Sequence, residues 1–149
     1  MSGVSITITG GKELAAKLAK LSDELAGKAL ADATMAGALP IQNRAKELAP
    51  YITGNLRRSI HSEVTHSDRT HAEVEVGTDL EYAAQVEFGG TIRPKRAKML
   101  HWKSKTGKDV FAHEVHQPAH PYLRPAFDEE KAAAVEEIAG ALRSLLEGV

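Results

Sequence analysis

A chain of 149 residues with 42% hydrophobic content suits one domain, and a globular chain of that size buries about 68–70% of the surface its unfolded form exposes. Nineteen Lys and Arg stand against twenty Asp and Glu, so no global field draws the protein to nucleic acid or to anionic membranes, and any basic character is local. The absence of cysteine excludes a disulfide framework and thiolate metal sites.

The chain opens with "MSGVSITITG", which has neither the charged start nor the apolar run of a signal peptide, and nowhere do about 18 apolar residues run together. The expectation is a soluble protein made in the cytoplasm. Val4, Ile6 and Ile8 alternate with Ser5, Thr7 and Thr9, the period-two pattern of a half-buried strand ended by Gly10 and Gly11. From Lys12, Leu14, Leu18, Leu21 and Leu25 form one apolar helical face, which Gly27 is expected to end or bend. A second helix is predicted over 28–48, rich in alanines that permit close packing, with Pro40 expected to kink or break it and Pro50 to stop it.

"SIHSEVTH" from Ser59 and "HAEVEVGT" from His71 both alternate, and the intervening "SDRT" supplies turn residues, which predicts an antiparallel hairpin. "TDLEYAAQVEFGG" predicts a short helix, started by a capping-box spacing from Thr78 to Glu81 and stopped by Gly89 and Gly90, with Leu80, Ala84 and Phe88 inward and Ala83 and Val86 nearby. Residues 91–108 hold seven Lys or Arg and no acid, around a turn at "SKTGKD". They predict a basic hairpin or flap at about 91–118. A long helix follows, with Pro125 at its first position, Asp128, Glu129 and Glu130 near its start, and Val135, Ile138, Leu142 and Leu145 inward. The predicted fold is a single α+β domain over 1–149, a mainly antiparallel sheet packed by two N-terminal helices, a short middle helix and a long C-terminal helix.

His113, His116 and His120 crowd the segment "HEVHQPAH", but a zincin pair needs i and i+4 on a helix, and residues three apart on a strand face opposite ways. No metal site is expected. Neither a nucleophile elbow nor a phosphate-binding glycine loop occurs, and Glu73, Glu75, Asp79 and Glu81 read as solvated faces, so no catalytic residue is assigned. The basic run, with Trp102 and Phe111, is open to three readings: a protein interface, a solvated flap, or contact with DNA phosphates and bases. Arg57 and Arg58 are forks suited to a carboxylate, and if Leu56 and Ile60 face the core at least one arginine points outward.

Three stretches, "APYITGNLRRSI" at 49–60, "EYAAQVEFGG" at 81–90 and "HPYLRPAFDE" at 120–129, in this order and spacing, resemble the head-tail joining family of long-tailed bacteriophages, also labelled neck, tail-completion or minor tail component proteins. The type member is gene product ten of a lambdoid coliphage. The resemblance implies a virion protein without enzymatic activity or cofactor. It implies a ring of six copies between the head-closing connector and the tail tube or its terminator, with DNA in the channel and no membrane. It casts Pro50, Gly54, Gly89, Gly90, Pro121 and Pro125 as structural turns. Arg57 and Arg58 become candidates for pairing with a neighbour, and Arg93, Lys95, Arg96, Lys98, Trp102, Lys103 and Lys105 become interface candidates in a loop expected to vary across the family. A tail-terminating ring and a DNA-binding accessory protein are the alternatives.

Overall fold

The computed structural model describes residues 2–9, 16, 19–20, 22–51 and 53–148, the first of these stretches by its backbone alone. Strand β1 (Ser2–Thr9) pairs antiparallel with β3 (His71–Thr78), which pairs antiparallel with β2 (His61–Ser67), giving the order β1-β3-β2. The register sets Val4, Ile6 and Ile8 opposite Val76, Val74 and Ala72, so the two alternating patterns are in phase. In β3 the even positions Ala72, Val74 and Val76 are buried while His71, Glu73 and Glu75 are half-buried on the other face.

Helix α1 (Asp23–Leu48) packs on the buried face of this sheet. The leucine-spaced helix predicted from Lys12 lies largely outside the described residues. What is described departs from expectation at its end, because Gly27 neither stops nor bounds a helix. The start is instead Ser22, whose hydroxyl accepts from the Leu25 N–H, followed by Asp23 and Glu24 at the positive end of the helix dipole. Gly27 is buried against the β2–β3 turn, where a Cβ would come within 3.3 Å of the Asp68 carbonyl, so its role is close approach. Pro40 does not break α1 either: Ala38 and Ile41 beside it are fully buried in the core, and their packing outweighs the roughly 3 kcal/mol that an interior proline costs. The helix stops at Leu48, where Ala49 takes the extended conformation demanded by Pro50.

The β2–β3 turn is organised by the Asp68 carboxylate, which accepts from the Thr70 and His71 N–H groups at 2.8 and 2.9 Å and from the Thr70 hydroxyl at 3.0 Å. The His66 ring, 2.9 Å away, and then these donors hold Asp68 well below the usual carboxylate range.

Helix α4 (Leu123–Glu147) lies along α1, and this pair is the most extensive contact between elements. The helices approach closely at Gly37, where a Cβ would sit 2.5 Å from the Ile138 side chain and 2.8 Å from the Ala134 carbonyl. Arg44 of α1 also reaches Glu129 of α4 at 2.5 Å. The inward face of α4 is Leu123, Ala126, Ala134 and Ile138, with Leu142 and Leu146 half-buried beyond. Val135 is 64% exposed and Leu145 also faces outward, contrary to expectation, because the buried stripe of the helix runs through Leu123, Ala126, Ala134 and Ile138 instead. The fold is α+β, and no described helix is long and apolar enough to cross a membrane.

Candidate functional site

The first quoted stretch is not a turn leading straight into a strand. After Pro50 the chain forms a short helix, α2 (Asn55–Ser59), so Ser59 belongs to this helix and β2 begins at His61. Gly54 immediately before α2 has φ 79°, a left-handed conformation that glycine adopts at little cost. Leu56 and Ile60 are buried, and the two arginines diverge. Arg57 Nε donates to the Ala49 carbonyl at 2.9 Å, and its guanidinium stacks 5.3 Å from the Tyr51 ring centre. It thus satisfies a carbonyl orphaned by the end of α1. Arg58 is exposed, and its guanidinium bonds its local neighbour Asn55 at 2.6 Å, with no ion pair to a described residue.

The second stretch forms α3 (Ala83–Phe88). The capping box is absent: Thr78 is still in β3, its hydroxyl accepts from the Leu80 N–H, and Tyr82 at the cap position makes no side-chain bond. The helix starts later than the spacing suggested, which turns its faces. Ala83, Val86 and Glu87 are buried, Leu80 is half-buried, and Ala84 and Phe88 are exposed, Phe88 by 73%.

Glu87 is the residue that sequence reading missed. Its carboxylate accepts from three successive backbone N–H groups at the start of α4: Tyr122 at 2.7 Å, Leu123 at 2.9 Å and Arg124 at 3.0 Å. The next residue, Pro125, has no N–H to satisfy, so Pro125 matters as the residue that ends the row of donors at the third helical position, not as the first helical residue. The opening turn of α4 contains no acid of its own; Asp128, Glu129 and Glu130 come after it, and Glu87 supplies the negative charge from another element. The backbone adds a further tie, the His120 N–H donating to the Val86 carbonyl at 2.7 Å. Gly89, with φ 69°, lets the chain pass where a Cβ would come 2.7 Å from the Ala119 nitrogen. The signal available was spacing: 83, 86 and 87 share a helical face, and Glu87 is the one acid in that helix.

The three stretches therefore converge on one corner. Tyr122, fully buried beneath it, shares a core cluster with Ala49, Leu56, Ala83 and Val86. Burial, and next the nearby Glu87 carboxylate, push its hydroxyl up to about 12, and that hydroxyl bonds no described residue. Around this corner Tyr51, Tyr82 and Phe88 stand exposed, and an open concavity runs along Phe88, Pro121, Arg124, Pro125 and Asp128.

The predicted basic flap is a two-storey arm. At its base β4 (Gly90–Ile92) pairs with β7 (Val115–Gln117), and at its tip β5 (Leu100–Lys103) pairs with β6 (Asp109–Ala112) around a turn where Gly107 has φ 79°. Leu100, Trp102, Val110 and Ala112 share one face of the tip, and His101 stacks on Phe111 on the other. Of the arm's Lys and Arg, Arg93 pairs with Glu114 at 3.0 Å. That contact, with a smaller contribution from His116, holds Glu114 below the usual carboxylate range. Lys95, Arg96, Lys98, Lys103, Lys105 and Lys108 make no ion pair with a described residue.

The arm does not gather the three histidines. His116 bonds Thr91 at 2.9 Å and contacts Glu114 at 3.2 Å, while His113 and His120 are exposed, and no cluster of potential metal ligands occurs among the described residues.

A match to the HK97-gp10-like family of bacteriophage tail components spans residues 12–89, just over half of the chain. The chain belongs to that family. The match takes in α1, the 49–60 stretch and α3, and it stops at Gly89 where the arm begins, so the arm and α4 lie outside it. As a tail component of a phage, a member of this family has its place in the virion. No curated protein and no solved structure gives a significant match.

Proposed function

We propose that the protein is a ring-forming neck or tail-completion subunit that joins the head connector to the tail, with DNA passing through the ring. Family membership supports the tail assignment. The observation that carries the finer reading is the contrast between a body whose corner is locked by Glu87 and an arm with six cations that form no ion pair with a described residue. In a closed ring each copy must offer two different patches, one to each neighbour, and repetition turns a modest contact into a stable joint. The arm is one such patch. The exposed aromatics Tyr51, Tyr82 and Phe88 at the corner suit docking to the adjoining connector or tail protein, and Arg58 is placed to pair with a partner carboxylate, whereas Arg57 is occupied inside its own chain.

The test is native mass over a wide concentration range together with particle images. A closed ring gives the subunit number and supports the reading; a monomer at every concentration overturns a self-sufficient ring. A DNA-binding accessory role is favoured by one feature, the cations and Trp102 on the arm, and it predicts affinity for single- or double-stranded DNA that falls steeply with salt.

A further inference from the structure

The face of the sheet opposite α1 carries acids. Register places Glu63 of β2 directly opposite Glu75 of β3, with Glu73 two residues along on the same face of β3. Like charges directly opposed across two strands weaken the pairing they sit on, and neither Glu63 nor Glu75 forms an ion pair with a described residue. The opposed pair therefore carries a repulsion that no ion pair with a described residue offsets.

The arm has the converse problem. A two-stranded hairpin is marginal in water without something to pack on. Its tip nonetheless displays Trp102 at 40% and Phe111 at 61% exposure, among cations that form no ion pair with a described residue. Seven of the chain's nineteen Lys and Arg lie in residues 91–118, with only two of its twenty acids, so a nearly neutral chain is strongly dipolar.

We propose that the acidic face at Glu63 and Glu75 receives the basic arm of a second copy of the chain. This rests on the ring reading above and names the two patches it requires. The charges are complementary, neither set forms an ion pair with a described residue of its own copy apart from Arg93, and a face and an arm are different surfaces, as a head-to-tail contact demands. Because net charge is near zero, copies do not repel each other at long range, and the attraction acts where arm meets face. Assembly driven this way weakens as salt rises.

The test mixes unlabelled and 15N-labelled full-length chains at low salt, couples amines to carboxylates with a zero-length carbodiimide, and sorts linked peptides by isotope. The expected result is links between different chains, from Lys95, Lys98, Lys103 or Lys105 to Glu63 or Glu75. In parallel, Glu63→Lys with Glu75→Lys, and separately Lys103→Glu with Lys105→Glu, should each lower the assembled fraction roughly tenfold, and the four changes together should restore it. If rings form but links fall elsewhere or within one chain, or if the reversals leave native mass unchanged, the arm-on-sheet contact is overturned while the ring stands. If arm reversal leaves rings intact and instead abolishes DNA retention, the arm's partner is DNA and the proposal fails. If no assembly occurs at any concentration, the ring reading falls and takes this contact with it.

Discussion

The Glu87 corner and the basic arm are adjacent in the chain and opposite in character. At the corner one buried carboxylate meets three donors, a proline removes the fourth, and a glycine admits the crossing backbone. On the arm most charges end in solvent and the largest side chains are exposed. The corner commits its polar groups to folding; on the arm six cations make no ion pair with a described residue. Substitutions at the first should therefore register as stability, and at the second as assembly.

Glu87→Ala is the strongest test of that division. It strands three backbone donors at the start of α4 and should cost about 3 kcal/mol, which lowers the melting temperature by roughly 6–12 °C. An unchanged circular-dichroism melt would dissolve the contrast. Next is Gly37→Ala, whose added methyl meets both Ile138 and the Ala134 carbonyl and should destabilise by about 1–3 kcal/mol in urea titration. Arg57→Ala removes the contact to Ala49 at the end of α1 and should cost about 1 kcal/mol by the same titration, with native mass unaltered if Arg57 serves only its own chain. Smallest is Lys103→Ala with Lys105→Ala, expected to move stability by less than about 0.5 kcal/mol while shifting native mass towards monomer. A loss of stability there would mean that the arm is part of the body.

Much of the fold was legible because several signals agreed. In the β2–β3 hairpin, alternation and an Asp-bearing turn pointed the same way, and in the arm "SKTGK" marked the turn between β5 and β6. Reading failed where tertiary packing overrode a local rule. Gly27 and Pro40 look like breakers, yet both sit inside α1, which is held against the sheet on one side and α4 on the other. Phe88 looks like core and is exposed, because α3 begins at Ala83 and so turns Glu87 inward. Of the candidate site, the cations of the arm were evident from composition, but the splitting of Arg57 from Arg58 depended on where α1 ends in space. Glu87 was invisible as a cap because its three partners lie 35 to 37 residues away in sequence.

That separation in sequence has an evolutionary side. Since α3 and the start of α4 are clasped together through backbone groups and one carboxylate, the chain leaves and re-enters the body at two fixed, neighbouring points. Whatever is strung between them is a cassette. Doubling the length of a flexible connection adds only about 0.6 kcal/mol of closure entropy, so residues 91–118 can be lengthened, trimmed or exchanged with little penalty to the body. A lineage that must fit the same body to a different neighbour can rewrite the arm and leave the rest of the gene alone.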